Sequence, residues 1–176
     1  MSGAETLPRR RSIDHVREGV SFLIISYKRT APFSDVQKVI RSLSQAEYHY
    51  LTPRGRYIES PNLKARVVVY DDRKPVGFIE GVIFDDAPKT LIISIAVSPQ
   101  ARHQGLAANL LDKIVAEKAY LDFDTLFARV DKVNVASQRL LEKNGFTQIR
   151  DNGSQYVYTK SVLATPVYKL WKKEKT

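Results

Sequence analysis

An apolar strand that turns straight into a helix is a place to hold an anion, and residues 95–107 read as one: Ile95-Ala96-Val97-Ser98-Pro99-Gln100-Ala101-Arg102-His103-Gln104-Gly105-Leu106-Ala107. The start of a helix leaves backbone N–H groups without partners, and the macrodipole adds positive potential there, which suits a diphosphate. Gly105 lets the main chain approach a ligand closely, Ala107 keeps bulk off the next residue but one, and Arg102 can add charge-assisted hydrogen bonds. Small residues also open ordinary helices, so the junction alone leaves a phosphate site and a plain helix start both open.

After one intervening strand comes Asn134-Val135-Ala136-Ser137-Gln138-Arg139-Leu140-Leu141-Glu142-Lys143-Asn144-Gly145-Phe146. Asn134 stands where an N-cap would, which explains the residue without any ligand. Together the two segments resemble the GNAT superfamily of N-acetyltransferases. Arg102, Gly105 and Ala107 occupy its R/Q-x-x-G-x-G/A signature, and Asn134 through Phe146 fits its N-x-x-S/A-x-x-L-x-E-x-x-G-F pattern. The resemblance spans roughly residues 20–162, is most specific over 92–146 and is weak before 65.

The resemblance implies an α/β fold with a central mixed, mostly antiparallel sheet, flanked by helices, in which two neighbouring strands splay and the pantetheine arm of acetyl-CoA enters the gap like an extra strand. Main-chain groups of Ile95, Ala96 and Val97 would then bind the arm, and those of Arg102, His103, Gln104, Gly105, Leu106 and Ala107 the pyrophosphate. Asn134, Ser137 and Leu141 would face the cofactor. The implied reaction moves an acetyl group from acetyl-CoA directly to a primary amine, with no covalent enzyme intermediate and no metal.

One position departs from the family pattern: many relatives carry tyrosine where Leu141 stands, placed to protonate the departing thiolate. A thiol has an unperturbed pKa of about 8.5, so its thiolate leaves readily and loss of a general acid need not abolish transfer. Ser137, one turn earlier, and Tyr156 or Tyr158 are the substitutes in reach. The acceptor is mostly ammonium at neutral pH and must lose a proton before it attacks. Glu80 is the first candidate base: in the alternation of residues 76–84 it shares a face with Val76, Phe78, Val82 and Phe84. A carboxylate on an apolar face is expected to have a raised pKa; turning to solvent or pairing with an arginine would explain it equally. Asp85 and Asp86 are weaker candidates, and Ser94 is the one polar side chain of residues 91–97.

Relatives contact acceptors through the region before the second strand, which here holds Tyr48, Tyr50, Arg54 and Tyr57, with His49 and Arg56 beside them. Its arginines would suit a phosphate-bearing or acidic acceptor, and its tyrosines would also suit an ordinary surface loop.

The elements that must position these groups follow from periodicity. Residues 20–27 read as a strand, and a helix capped by Ser34 or Asp35 carries Val36, Val39, Ile40 and Leu43 at helical spacing. Residues 45–62 read as a short helical or irregular connection. Residues 65–70, 75–84 and 90–97 read as three strands joined by short polar turns, hence an antiparallel meander. Rows Leu106, Leu110, Ile114 and Ala107, Leu111, Val115 form the broad apolar face of a helix running to about residue 120. Strand 126–130, helix 134–143 and strands 146–149 and 156–162 complete the order.

The bulk properties bound the rest. With 176 residues and 43% apolar content, one domain over 20–163 is expected, preceded by a disordered basic leader, 1–19, and followed by a basic tail, 164–176. The net charge of +9 lies mostly at the ends, +3 in residues 1–30 and +4 in 160–176. An acidic or nucleic-acid partner, including an RNA- or ribosome-directed acetyltransferase, is therefore a second reading, and a catalytically degenerate acetyl-CoA-binding module a third. No cysteine and three unclustered histidines exclude disulfides, thiolate metal sites and a Cys nucleophile. No apolar run reaches the roughly 20 residues of a membrane span and no secretory signal is evident, so a cytoplasmic location is expected. Trp171 in the tail could pack across a homodimer interface.

Overall fold

The computed structural model describes residues 24–52 and 55–162. The basic leader, the tail with Trp171, Arg54 and the first residues of the expected opening strand lie outside them. The described residues form one seven-stranded sheet, β1 (Ile25–Arg29), β2 (Leu63–Asp71), β3 (Lys74–Val82), β4 (Thr90–Val97), β5 (Thr125–Asp131), β6 (Thr147–Asp151) and β7 (Gln155–Ser161), in the order β1-β2-β3-β4-β5-β7-β6. Every pairing is antiparallel except β4 with β5, which is parallel. The mixed, mostly antiparallel sheet flanked by helices is the architecture the sequence implies.

Helices α1 (Phe33–Arg41), α2 (Gln45–Leu51), α3 (Leu106–Ala116) and α4 (Val135–Lys143) flank the sheet. β2 and β3 are buried through their middles, as strands covered on both faces must be. On one face α3 places Leu106, Leu110, Leu111 and Ile114 over Val67, Val69, Ile79 and Leu91. On the other, α1 seats Val36, Val39 and Ile40 against Val68 and Phe78.

Several boundaries differ from the periodic reading. α1 starts at Phe33 with Pro32 as its cap and no side-chain cap bond, so neither Ser34 nor Asp35 caps it. Asp35 sits inside the first turn, where it accepts from Lys38 Nζ and Tyr70 Oη. α2 is a genuine helix, closed by a reciprocal capping box between Ser44 and Glu47. α3 ends at Ala116 and tightens into a 3-10 turn at Glu117–Ala119, because Glu117 turns inward and takes a two-pronged bond from Arg29, 2.6 and 2.7 Å. β3 stops at Val82, and Phe84 leaves the sheet 40% exposed.

Gly81 shows how tightly β3 and β4 pack: a Cβ there would stand 2.7 Å from both Cγ and Cδ1 of Leu91, itself fully buried. Gly81→Ala should therefore lose about 1–3 kcal/mol by overpacking, read as a lowered urea midpoint at unchanged m-value. A loss below about 0.5 kcal/mol would mean that Leu91 can move aside.

Candidate active site

β4 and β5 pair only where Thr90, Leu91 and Ile92 meet Thr125, Leu126 and Phe127. Beyond that point the two strands continue without pairing to each other, β4 to Val97 along β3 and β5 to Asp131 along β7. A cavity of about 760 Å³ fills the gap, lined by residues 92–97 on one side and 128–131 on the other. That is a size typical of sites that enclose small molecules.

The main chain of β4 is aimed into this gap. Ser98 donates its N–H to Val76 O of β3 at 2.7 Å. Because main-chain polar groups alternate sides along a strand, Ala96, Ser94 and Ile92 also turn to β3 in the unbroken register, while Ile93, Ile95 and Val97 turn to the gap. Arg102 Nε takes the Val97 carbonyl at 3.1 Å.

At the end of β4 a 3-10 turn at Pro99–Ala101 leads into two left-handed residues, His103 with φ of 60° and Gly105 with φ of 74°. Gly105 is the N-cap of α3 and bears no cap side chain. The N–H groups of residues 103–108 find no acceptor among the described residues, so six donors face outward around the positive end of α3. Leu106 is buried in the core, so its contribution to a ligand is its N–H.

The opposite wall comes from α4. Asn134 accepts from Ser137 N at 3.2 Å, which makes it the N-cap, and it also lines the cavity. Ala136, Ser137, Leu140 and Leu141 line the same wall. Leu141 is 2% exposed and belongs to the main core cluster. Tyr156 is half-buried under Lys132 and is not among the lining residues. Tyr158 is buried, donates to Glu142 Oε1 at 3.1 Å, and has its pKa pushed up to about 12 by burial and then by Glu142. Of the three hydroxyls named from sequence, Ser137 is the one brought to the cavity.

Of the readings open for Glu80, the structure shows the pairing with an arginine. Glu80 is 5% exposed, and both its oxygens are taken: Oε1 by Arg66 Nε and Oε2 by Tyr57 Oη, each at 2.6 Å. Arg66 also donates to Ala31 O at 3.0 Å and to Glu59 Oε1 at 2.5 Å. Burial opposes the Arg66 charge, but the bonds to Glu59 and Glu80 outweigh it and raise its pKa. Burial, and then the Glu80 charge, push the Tyr57 phenol well above its usual range. Glu80 lies off the cavity lining and works as half of a buried ion pair.

Of the residues named for the acceptor, Tyr50 lines the cavity. Tyr48 and Tyr57 face the smaller core cluster, where Tyr48 Oη accepts from Tyr57 N and Tyr57 stacks on Phe33. Asp85 and Asp86 lie exposed in the turn after β3. Sequence reasoning missed Leu43, Glu47, Leu51, Thr52 and Phe84, which line the end of the cavity beside Tyr50. Glu47 Oε1 pairs with Arg102 Nη1 at 2.5 Å, and that bond holds the Glu47 carboxyl below the usual carboxylate range against its burial. The Ser44-x-x-Glu47 capping box was the legible signal that Glu47 opens a helix; its partner was not.

The description "Acetyltransferase (GNAT) family" matches residues 34–146, more than half of the chain. The chain belongs to the GNAT acetyltransferase family. It is an acetyl-CoA-dependent N-acyltransferase, with acetyl-CoA as acyl donor. No curated protein matches this acetyltransferase. Among solved structures, YncA of Salmonella typhimurium with its cofactor acetyl-CoA is similar at a TM-score of 0.64 and 17% identity, over 81% of this chain and 96% of that one. An N-acetyltransferase of Staphylococcus aureus gives 0.62 and 18%, over 79% and 99%. The ribosomal-protein-S18-alanine N-acetyltransferase of Escherichia coli gives 0.58 and 15%, over 81% and 97%. At such identity these likenesses bear on the fold. Among the described residues no group of His, Asp and Glu could hold a metal, and no helix is long and apolar enough to cross a membrane.

Proposed function

We propose that this acetyltransferase acetylates a primary amine carried beside an apolar group. The observation that carries this reading is the cavity lining on the side of α2, where Leu43, Leu51 and Phe84 supply apolar surface, Tyr50 an aromatic ring with its hydroxyl, Thr52 a second hydroxyl, and Glu47 a carboxylate already paired with Arg102. Of the two arginines behind the acidic or phosphate-bearing acceptor, Arg56 is exposed and is not among the lining residues, and Arg54 lies outside the described residues. Steric match and exclusion of water by apolar side chains favour an apolar neighbour to the amine over a second charge.

Acetyl-CoA supplies its acyl group as an activated thioester. The residues present suit it: outward N–H groups at 103–108 for a pyrophosphate, and the inward main chain of Ile93, Ile95 and Val97 for an amide-bearing arm. Asn134 and Ser137 would bound the arm on the side of α4, and Ser137 Oγ, a lining hydroxyl, would hand a proton to the departing sulfur. Holding both reactants in one cavity removes the entropy cost of their encounter, and binding and orientation carry much of the rate.

An acceptor panel with acetyl-CoA tests this, read as free thiol and as a mass shift of about 42 Da, the acetyl increment. The panel contains 2-phenylethylamine, peptides beginning with Leu or Asp, spermidine and an aminoglycoside. The amine with an apolar neighbour should give a kcat/KM at least about tenfold above the others, the discrimination that one or two buried methylenes supply. Preference for spermidine or for the Asp peptide would overturn the reading of the acceptor while leaving the donor site intact. A rise in melting temperature with acetyl-CoA alone is the accompanying check on the donor site.

A further inference from the structure

We propose that Glu47 is a positioning residue that couples the two halves of the site: Arg102 exchanges Glu47 for the donor's pyrophosphate, and the Oε1 so released receives the acceptor's ammonium. The inference rests on the donor-site reading above and adds to it a role for α2.

The geometry divides the Glu47 carboxylate between two tasks. Oε2 accepts the Ser44 N–H at 2.8 Å and closes the capping box, while Oε1 holds Arg102 Nη1 at 2.5 Å. Arg102 in turn opens the turn whose next six N–H groups have no acceptor among the described residues. A doubly charged pyrophosphate on those donors is a stronger partner for a guanidinium than one carboxylate oxygen is, and it binds within reach of the same arginine. Losing Arg102 leaves Oε2 in its cap and Oε1 free.

Once free, Oε1 faces the acceptor. Glu47, Tyr50 and Leu51 of α2 all line the cavity, together with Thr52. The lining holds one other carboxylate, Asp131, which stands on the far strand and already accepts from Val133 N at 3.1 Å. An ammonium entering beside α2 therefore meets one available anion, and meets it only when the donor site is filled. α2 has seven residues of which none is fully buried and is held through Tyr48 and Leu51 on the smaller core cluster, so its tether to Arg102 adds to what fixes where it sits.

Isothermal titration with CoA, which binds without turnover, and with 2-phenylethylamine as the amine probe tests the coupling. In the wild type, saturating CoA should tighten amine binding about tenfold, a usual size for coupling between sites. Glu47→Gln keeps a residue competent in the capping box, so the helix should stay folded; it should bind CoA several-fold more tightly and show weak amine binding with or without CoA. Arg102→Gln should show the opposite pattern, tight amine binding in both conditions and weaker CoA binding. Hydrogen exchange supplies a readout that needs no amine: amides 45–51 should exchange faster in the CoA-saturated wild type. Equal coupling in wild type and Glu47→Gln, or slower exchange of α2 with CoA, would overturn the proposal. Failure of the wild type to bind CoA at all would instead overturn the donor-site reading.

Discussion

Arg66→Ala should cost the folded protein about 3–5 kcal/mol, because it strands the Glu80 carboxylate in the interior with no cation beside it. Arg66 and Glu80 have side chains only 7% and 6% exposed and meet at 2.6 Å, so water cannot take over the lost partner. The same substitution removes the donors to Ala31 O and Glu59 that tie the chain before α1 and the chain after α2 to β2. Urea denaturation should show a large fall in midpoint. A loss under about 1 kcal/mol would mean that the pair is open to solvent. Glu80→Gln should cost less, since a neutral amide can still accept from Tyr57 Oη and Arg66 retains Glu59. Its pH–rate profile should match that of the wild type, because both oxygens are committed and neither reaches an acceptor. A loss of kcat at neutral pH that recovers at high pH would restore Glu80 as the base.

The second large effect is expected at the donor site. Gly105→Val should weaken acetyl-CoA binding by about 10- to 100-fold, equivalent to roughly 1.4–2.7 kcal/mol. Two causes act together. The φ of 74° is one that a β-branched residue adopts only at a cost, and a side chain there stands where a ligand would approach the outward N–H groups. A Cβ at Gly105 meets no protein atom within 4 Å, so overpacking of the protein cannot account for a loss. Gly105→Asn separates the two causes, since asparagine tolerates left-handed backbone. It should keep the melting temperature of the free protein and still bind acetyl-CoA more weakly. Calorimetry finding wild-type affinity in both variants would make the turn a purely structural feature.

Much of the strand–turn–helix geometry around Gly105 and Asn134 was legible before any coordinates. The positions of Gly105 and Asn134 are set by local main-chain needs, a left-handed N-cap and a side-chain cap, and local needs leave marks on nearby residues. The rows of α3 and the alternation of β2 to β4 likewise follow from burial on one or both faces. The acceptor half was largely illegible. Pairing with an arginine was one of the readings open for Glu80, but its strand named no partner, and the charge is answered by Arg66 across the β2–β3 register and by Tyr57 from a connection that showed no periodicity. Tyr48 and Tyr57 were offered as acceptor contacts by the region they occupy in relatives, with an ordinary loop as the alternative, and they pack instead against the smaller core cluster.

The sequence by itself determined the family, the order of strands and helices, and the turn with its free N–H groups, because each depends on residues a few positions apart. Tertiary structure alone decided where the splayed strands part, after Ile92 and Phe127, which arginine takes Glu80, and that Glu47 sits on Arg102. Those outcomes depend on strand register and on how α2 lies across the end of β4. Charges and phenols carry no mark of their partners, since a Coulomb or hydrogen-bond contact is fixed by distance in space and by the exclusion of water, not by separation along the chain.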